Sequence, residues 1–200
     1  MNINFSSISV MICSENVQIG SGCLLWSNDL TNLYCITAAH CIKDIDQSKI
    51  TVKNDSCSFV NISIVVNNSD YDVAVLLIND DAGIEDVPVI HTYDGSNITN
   101  EKVLIVGFPY KFENTQTEVQ CQILPHDEYN YTVYVDSLDP HQIERFEDVN
   151  GLSGSGCFFK SGNTYKFIGI ENKAITKDVP FKNLNCIKYE IINTLLKLRS

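Results

Sequence analysis

The sequence predicts an all-β protein built as two packed six-stranded antiparallel β-barrels, followed by a C-terminal α-helix. Three observations lead to this class. About a dozen short runs rich in β-branched and aromatic residues recur at intervals of roughly ten residues, separated by turn-forming Asn, Asp, Gly and Ser. Helical periodicity is nearly absent, and the polar, turn-rich stretch 79–87 divides the runs into two groups of about six.

The predicted strands occur in both halves of the chain. They are residues 8–13, 22–26, 33–37, 50–53, 59–66, 73–78, 103–108, 118–124, 131–135, 157–160 and 165–171. Helix is predicted only for a single turn over 38–42 and for 184–198, where apolar residues fall at three- and four-residue steps. We therefore divide the chain into a first barrel over 1–82, a second barrel over 83–182 and a terminal helix over 183–200.

Composition and charge exclude several classes of protein. Hydrophobic residues make up 44% and charged residues 20% of the 200 residues, as in globular domains and unlike disordered or fibrous chains. The net charge of −11, with basic residues scattered along the chain, argues against nucleic acid or an anionic membrane as a partner. The longest uninterrupted apolar run, 73–78, is far shorter than the roughly 20 residues that span a bilayer.

The eight cysteines do not have the density or spacing of a secreted disulfide scaffold. No two of them form a Cys-x-x-Cys pair, and the four histidines lack zinc-ligand spacing, so we expect neither a metal nor a cofactor. The N-terminus shows no positively charged leader and no cleavage site. The expectation is therefore a cytoplasmic protein whose thiols are reduced and mostly buried.

The strongest local motif is GLSGSG at 151–156, which follows an acidic loop and leads into a predicted strand. Glycines beside a serine let the backbone bend sharply and turn successive N–H groups toward one point, as an oxyanion hole requires. Such a loop taken alone is more often a plain turn. Its serine, Ser153, becomes a candidate nucleophile only if the chain also supplies a base and a group that orients the base.

Two further residues are candidates for those groups. His40 lies in TAAHC at 37–41, where an apolar strand ends and small residues start a helical turn; alone, it would be a packed core residue. Asp72 opens the most apolar predicted strand, and a carboxylate there must be solvated, hydrogen-bonded or paired. A strand-start cap is the ordinary explanation for such an Asp. The chain order His, Asp, Ser differs from the two orders found in other Ser-His-Asp hydrolases.

Together the motifs resemble the chymotrypsin/trypsin-like serine peptidase family over most of the chain. The matching segments are GSGCLL at 20–25, TAAHC at 37–41, DVAVL at 72–76, VGFP at 106–109, GLSGSG at 151–156 and FIGI at 167–170. The resemblance implies two six-stranded barrels with the site in the cleft between them. It also implies an endopeptidase that acts on protein or peptide substrates through an acyl-enzyme.

By this resemblance Ser153 attacks the scissile carbonyl, and His40 takes the serine proton and passes it to the leaving amine. Asp72 fixes the tautomer of His40, with Asp70 as the alternative acid. We prefer Asp72 because it directly precedes the apolar strand, as the acid of the family does. The backbone N–H groups of Gly151 and Ser153 hold the developing oxyanion.

Two departures from the family pattern resemble the intracellular bacterial trypsin-like peptidases. Secreted relatives carry Asp just before the nucleophile, where it pairs with a newly cut N-terminus; here that residue is Leu152, so this activation route is not expected. The half-cystine after the histidine is present as Cys41, but its usual partner position is Gly20. The usual disulfide is therefore not expected, although Cys23 and Cys35 remain alternative partners.

In the family, the strand after the nucleophile lines the specificity pocket, and here that strand contains Glu171. With Glu147 and Asp148 at the base of the pocket, this carboxylate favours Arg or Lys in the substrate by charge pairing. The competing interpretation is that these acids are solvated and that Lys173 neutralises Glu171.

A peptidase without a prosegment needs another restraint, and the loop 144–150 directly precedes the candidate oxyanion hole. We hypothesise that a regulatory partner or sensor protein switches this loop between a disordered and an ordered form. By analogy, similar peptidase domains occur in bacterial antiviral defence systems, fused to or encoded beside sensor proteins. The rival hypothesis is a catalytically inactive member of the fold, used as a binding or scaffold module.

Overall fold

Strands make up nearly all the regular structure of the protein. The computed structural model describes residues 4–93, 98–112, 115–125, 127–135, 149–174 and 183–197. Within these residues the chain forms thirteen strands, one α-helix and four 3₁₀ turns, arranged as a seven-stranded sheet and a closed six-stranded barrel. The predicted all-β class with a C-terminal helix is confirmed.

The first sheet contains the strands of the N-terminal half. They are β1 (Ser9–Ser14), β2 (Val17–Trp26), β3 (Leu33–Thr37), β4 (Ile50–Lys53), β5 (Ser58–Phe59), β6 (Ile62–Asn68) and β7 (Val73–Ile78). Their order is β5-β4-β1-β2-β3-β7-β6, and every neighbouring pair is antiparallel. In detail this sheet has seven strands where six were predicted, and in the described part of the chain it is a half-barrel rather than a closed one.

The extra strand arises because the predicted run 59–66 divides into β5 and β6. Between these strands the backbone N–H groups of Val60 and Asn61 both donate to one carboxylate oxygen of Asp80, at 2.9 and 3.0 Å. An N–H group bound to a side chain is lost to the sheet ladder, so the strand stops there and resumes at Ile62. Asp80 lies 20 residues from Val60, so the local pattern of apolar residues could not predict this interruption of the strand.

The second sheet closes into a barrel, as predicted. Its strands are β8 (Lys102–Gly107), β9 (Thr117–Ile123), β10 (Asn130–Val135), β11 (Gly156–Ser161), β12 (Thr164–Ala174) and β13 (Asn183–Lys188). They are antiparallel throughout, in the order β10-β13-β12-β11-β8-β9. Buried and partly exposed residues alternate strictly along β10, as a strand with one face toward a barrel core requires.

The C-terminal helix is shorter than predicted. Helix over 184–198 is wrong for its first residues, because Asn183–Lys188 is strand β13 and the helix α1 spans Tyr189–Lys197. Leu184 and Cys186 alternate inward with a period of two and are fully buried in the barrel. Closing the barrel requires a sixth strand here, and that tertiary pairing overrides the local helical pattern. Within the described residues, no helix combines the length and apolar character needed to cross a membrane.

A continuous apolar core joins the two sheets. Its larger cluster contains residues from every strand of the first sheet and extends to Phe158 and Phe167 of the barrel. The ring centroid of Phe158 lies 4.9 Å from that of Phe5 and 5.8 Å from that of Phe167. Ile192 of α1 is fully buried in the same cluster. This shared core fixes the position of the two sheets relative to each other, as a site built from both of them requires.

Candidate active site

His40 lies on the turn that follows strand β3. The predicted helical turn over 38–42 is present as the 3₁₀ turn Ala39–Ile42, which buries its other three residues and leaves the His40 side chain 50% exposed. Small residues at 38 and 39 allow the chain to turn close against the core. The imidazole is therefore open to a substrate while its turn is anchored.

Asp72 holds His40 by two hydrogen bonds. Nδ1 of His40 lies 2.7 Å from Oδ2 of Asp72, and the backbone N–H of His40 donates to Oδ1 at 2.9 Å. The backbone carbonyl of Asp72 also accepts from the N–H of Ala39 at 3.2 Å. Asp72 has φ of +53°, a left-handed conformation that Asp tolerates better than most residues. This backbone turn brings the carboxylate over the histidine just before β7 begins.

These contacts determine the state of the imidazole. A carboxylate only accepts, so Nδ1 carries the proton directed at Asp72, and Nε2 keeps its lone pair when the ring is neutral. The hydrogen bond to Asp72 raises the pKa of His40 above its ordinary value of 6.5, with a further contribution from the Cys41 thiol and opposition from partial burial. The alternative acid, Asp70, is exposed, and it is Asp72 that the structure brings to His40.

Two glycines shape the loop 151–156, which we call the glycine loop. Gly151 and Gly154 have φ of +94° and +90°, where other residues are strained. A Cβ at Gly151 would lie 2.6 Å from Cδ1 of Tyr110, and a Cβ at Gly154 would overlap the backbone carbonyl of Ser21. The sharp bend around Ser153 therefore depends on glycine at both positions.

The glycine loop docks onto the first sheet beside His40. The carbonyl of Ser153 accepts the backbone N–H of Ser21 at 2.8 Å and the thiol of Cys41 at 3.5 Å. Cys41 directly follows His40, so the backbone of the candidate nucleophile contacts the residue next to the candidate base. Among the described residues, the His40 ring is hydrogen-bonded to Asp72, and no hydrogen bond joins it to the Ser153 hydroxyl. Ser153 itself is half-buried.

Three backbone N–H groups of the glycine loop are already engaged. Those of Leu152, Gly154 and Ser155 donate to carbonyls at 2.7 to 2.9 Å. Within the described part of the chain, the N–H groups of Gly151 and Ser153 have no acceptor. Two unengaged N–H groups at one sharp bend are suited to hold a negatively charged oxygen.

Glu171 is bonded to the glycine loop through its backbone. Its carbonyl accepts from Gly154 at 2.7 Å, and its N–H donates to the carbonyl of Ser155 at 2.9 Å. The residue is only 3% exposed, and Oε2 has no hydrogen-bond partner among the described residues. Burial raises the pKa of Glu171 to about 8, while attraction to His40 lowers it and repulsion from Asp72 raises it further. Glu171 is not solvated, in contrast to the competing interpretation.

Two polar residues of the site were missed by the sequence analysis. Ser21 is fully buried, and its hydroxyl accepts the N–H of Phe108 at 2.9 Å and donates to the carbonyl of Gly151 at 2.6 Å. Asn172 donates from Nδ2 to the carbonyl of Tyr71 at 3.2 Å, which ties β12 to the segment carrying the candidate acid. A serine between two glycines in an apolar strand was the available signal for Ser21; nothing in the sequence singles out Asn172.

The structure has no cystine at the family's usual position. None of the eight cysteines forms a disulfide, so neither Cys23 nor Cys35 becomes the disulfide partner of Cys41. A Cβ at Gly20 would lie 2.5 Å from the sulfur of Cys41, so the thiol occupies the space that a side chain at residue 20 would need. Leu152, where secreted relatives carry an acid, is fully buried among apolar residues of the barrel.

Part of the predicted site cannot be placed. Glu147, Asp148 and the side chain of Lys173 lie outside the part of the chain that the structure describes. Among the described residues, no group of three or more His, Cys, Asp or Glu side chains comes together in a way that suits a metal ion.

A seven-stranded antiparallel sheet that carries a His–Asp pair, packed on a six-stranded barrel that carries a serine in a glycine-rich loop, defines the class of two-barrel serine peptidases. Comparison with protein families agrees, since the model of the Trypsin family matches residues 8–172, most of the chain. The chain therefore belongs to the trypsin family and is a serine endopeptidase.

Several solved bacterial structures share this fold. The active form of the Rv3671c protease from M. tuberculosis has a TM-score of 0.71 at 15% identity, over 98% of this chain and 82% of that one. The MamO protease domain from Magnetospirillum magneticum has a TM-score of 0.66 at 14% identity, over 94% and 95%. The secreted serine protease VesC from Vibrio cholerae has a TM-score of 0.71 at 17% identity, over 97% and 46%. At these identities the similarity shows the fold alone, and comparison with curated proteins finds no match by sequence.

Proposed function

We propose that the protein cleaves peptide bonds with Ser153 as nucleophile, His40 as general base and Asp72 as the group that orients His40. The observation that carries the proposal is the pair of hydrogen bonds between His40 and Asp72, one of them at the ring and one at the backbone. The contact between the Ser153 carbonyl and Cys41 supports it, because this contact brings the serine to the histidine turn. A serine hydroxyl is a weak nucleophile until such a base takes its proton.

The reaction proceeds in two halves through an ester on Ser153. Nε2 of His40 removes the hydroxyl proton as Oγ attacks the carbonyl carbon, and the carboxylate of Asp72 stabilises the imidazolium. The imidazolium then gives that proton to the leaving amine, the C–N bond breaks, and the acyl group stays on Oγ. In the second half His40 deprotonates a water molecule, which hydrolyses the ester and restores the free serine. These steps need no cofactor.

The N–H groups of Gly151 and Ser153 would hold the oxyanion of each tetrahedral intermediate. Both lack an acceptor within the described residues, and the positive φ of Gly151 turns its peptide plane at this bend. Backbone donors fixed before the reaction stabilise developing charge without reorganisation, and removing one donor typically costs about 100- to 1,000-fold in kcat.

A fluorophosphonate probe tests the proposal, because it reacts only with an activated serine. We expect it to label the wild-type chain at Ser153, with the modified peptide located by mass spectrometry, and to leave Ser153→Ala unlabelled. Ser155→Ala is the matched control, since Ser155 lies in the same loop with a buried hydroxyl that has no partner. Absence of labelling in the wild type would favour the rival hypothesis of an inactive binding module.

We further propose that the enzyme prefers a basic residue on the acyl side of the cleaved bond. Support comes from Glu171, whose buried carboxyl oxygen lacks a partner among the described residues and whose backbone is bonded to Gly154 and Ser155, the two residues after the nucleophile. A Lys or Arg side chain supplies the missing donor and a compensating charge. Glu147 and Asp148, at the base of the pocket by family resemblance, belong to the same proposal.

Regulation by a partner is part of the proposed function. Leu152 replaces the acid that would pair with a new N-terminus, so activation needs another route. We propose that a partner or sensor protein acts on the loop 144–150 and, by analogy, that the chain is a module of a bacterial antiviral defence system. The isolated chain should then have low basal turnover that rises when a co-encoded partner is added. Full activity of the isolated chain would contradict this regulation.

We propose the cytoplasm as the compartment in which the enzyme works. None of the eight cysteines forms a disulfide, and seven of them are buried. Such thiols persist in a reducing environment. Alkylation of the denatured protein, isolated from cells under acid quench, should label all eight; recovery with disulfides would contradict the proposal.

A further inference from the structure

Ser21 is a buried polar residue whose hydroxyl connects the two halves of the molecule. It lies in β2 of the first sheet, is fully buried, and uses its hydroxyl as both donor and acceptor. The N–H of Phe108 donates to Oγ at 2.9 Å, and Oγ donates to the carbonyl of Gly151 at 2.6 Å. An N–H only donates and a carbonyl only accepts, so the direction of both bonds is fixed.

The backbone of Ser21 contacts the same loop. Its N–H donates to the carbonyl of Ser153 at 2.8 Å, and its own carbonyl accepts the hydroxyl of Thr37 at 2.7 Å. Gly154 packs so closely on that carbonyl that a Cβ there would overlap it. Every polar group of Ser21 is therefore used at the glycine loop or directly beneath it.

The hydroxyl of Ser21 acts at the residue whose N–H is a proposed oxyanion donor. The peptide plane before Gly151 is held by the carbonyl of Asn150, which accepts the N–H of Tyr110 at 2.7 Å. In a trans peptide the N–H points opposite to the carbonyl, so the N–H of Gly151 points away from Tyr110. The plane after Gly151 is held by the hydroxyl of Ser21, which donates to the Gly151 carbonyl, and by the N–H of Leu152, which donates to the carbonyl of Val149 at 2.9 Å. These three bonds anchor the peptide planes on either side of Gly151, at a φ of +94°.

No ion pair can hold the glycine loop at Leu152, the residue after Gly151. Leu152 is fully buried in the apolar core of the barrel and carries no group that forms an ion pair. The neutral bond from Ser21 is short and buried, and removing the hydroxyl would leave both the Phe108 N–H and the Gly151 carbonyl without it.

We propose that Ser21 is a positioning residue that holds Gly151 with its N–H directed at the oxyanion, in place of an ion pair formed on activation. This inference rests on the proposed function, because it assigns Ser21 to the same oxyanion hole. It means that the glycine loop reaches its working shape without a newly cut N-terminus. When the hydroxyl is absent, the peptide plane after Gly151 keeps, within the described residues, only the bond from the N–H of Leu152 to the carbonyl of Val149.

The test compares Ser21→Ala with Ser9→Ala, using a peptide substrate. Ser9 is fully buried in the neighbouring strand β1, and its hydroxyl has no hydrogen-bond partner, so Ser9→Ala should keep wild-type kinetics. We expect Ser21→Ala to lose about 100-fold in kcat, with KM changed by less than roughly 3-fold, because only the transition state carries the oxyanion. A peptide boronic acid, whose adduct with Ser153 places an oxygen in the oxyanion hole, should bind weaker by a similar factor.

If Ser21→Ala folds poorly, Ser21→Cys serves as a second variant that tests the same role. A thiol keeps a polar atom at the same position but donates weakly, so the folded Ser21→Cys protein should still lose about 10-fold or more in kcat. If either folded variant retains kcat and boronic acid affinity within about 3-fold of wild type, the role of Ser21 is overturned while the peptidase assignment stands. If the wild type is not labelled by fluorophosphonate and cleaves nothing, the proposed function fails and this inference fails with it.

Discussion

The carboxylate of Asp72 contacts two separate N–H groups of His40, one on the ring at 2.7 Å and one on the backbone at 2.9 Å. The backbone bond fixes where the carboxylate lies, and the ring bond fixes which nitrogen of the imidazole carries the proton. An Asn side chain can still accept the backbone N–H of His40 with its amide oxygen, but its NH₂ group then faces Nδ1 of the ring, which needs an acceptor.

We therefore expect Asp72→Asn to fold normally and to lose about 10,000-fold in kcat, the size of effect typical of this change in a Ser-His-Asp triad. Asp70→Asn, two residues away at an exposed position, is the matched control and should keep wild-type activity. Equal activity of the two variants would remove Asp72 from the triad.

The pH dependence of activity follows from the same hydrogen bond. Asp72 raises the pKa of His40 above 6.5, and catalysis needs the neutral imidazole, so kcat/KM should rise with pH along a limb displaced to the alkaline side of 6.5. In Asp72→Asn the pKa of His40 falls, and the limb of the residual activity should move to lower pH. NMR titration of the His40 ring protons measures both values; a limb that does not move would show that Asp72 does not control His40.

Much of the fold was predictable because many strands are marked locally by apolar runs that end at turn residues. The runs 33–37, 50–53 and 73–78 match strands β3, β4 and β7 at both ends, since turn residues bound each of them. Strand β13 was missed because barrel closure also requires it to pair with β10, about 50 residues earlier in the chain. Barrel closure makes residues 183–188 a strand, and the local sequence of this segment does not contain the pairing that closes the barrel.

Some residues of the candidate site were also predictable from local motifs, and others were not. His40, Asp72 and Ser153 were singled out because each occurs in a short motif with a family resemblance, and the first two are hydrogen-bonded in the structure. Ser21 was not, because its importance comes from a bond to Gly151, 130 residues away. Glu171 was identified as a pocket residue, but its burial follows from barrel packing and not from its neighbours in sequence.

The missing cystine can be restored by one substitution. A Cβ at residue 20 would lie 2.5 Å from the sulfur and 3.1 Å from the Cβ of Cys41, so a cysteine there needs only a small shift to reach disulfide geometry. We expect Gly20→Cys to form this bond under oxidising conditions and to gain about 3 kcal/mol in unfolding free energy from closing a loop of roughly 20 residues.

Urea unfolding with and without reductant measures that gain, and thiol counting identifies the bond. Gly20→Cys combined with Cys41→Ser is the control, because it keeps the new thiol but has no partner at 41. A gain in stability that persists in the double variant, or in reductant, would contradict the predicted bond.

Comparing alanine substitutions at Gly154 and Gly162 distinguishes the cost of backbone strain from the cost of a steric clash. Both have positive φ, +90° and +62°, but only Gly154 has neighbours where a Cβ would go; nothing lies within 4 Å at Gly162. Gly162→Ala should therefore cost about 1 kcal/mol from strain alone. Gly154→Ala must also move the carbonyl of Ser21 or the glycine loop, so we expect a cost of about 3 kcal/mol or more and nearly complete loss of activity. Equal losses in thermal stability and activity would contradict the packing of Gly154 on Ser21.

Glu171 should make the protein less stable as the pH rises. Its pKa is about 8 in the folded state and 4.5 ordinarily, so between these values the unfolded chain releases a proton that the folded chain retains. The penalty is absent below pH 4.5 and is complete above pH 8. Glu171→Gln removes it, so its stability advantage over wild type should grow to a few kcal/mol between pH 5 and pH 8 in urea unfolding. Glu118→Gln, at an exposed strand position, should show no such growth.

The same carboxyl should make substrate preference depend on pH. With its pKa raised to about 8, Glu171 is mostly protonated at pH 6 and mostly ionised at pH 9, and only the ionised form attracts a guanidinium group. The groups facing it are His40, whose imidazolium form lowers the pKa of Glu171, Asp72, which raises it, and Cys186, directly opposite on β13. The hydrogen bond with Cys157 and burial raise the pKa of Cys186, so that thiol stays neutral.

We expect the ratio of kcat/KM for an Arg substrate to that for the matching Gln substrate to rise by about 10-fold or more from pH 6 to pH 9. Taking the ratio cancels the titration of His40, which affects both substrates equally. In Glu171→Gln the ratio should be low and independent of pH. Binding of an alkylguanidinium to Ser153→Ala should follow the same pH curve without any catalysis, which separates recognition from chemistry. A pH-independent ratio in the wild type, or an unchanged Arg preference in Glu171→Gln, would show that the basic side chain is recognised elsewhere.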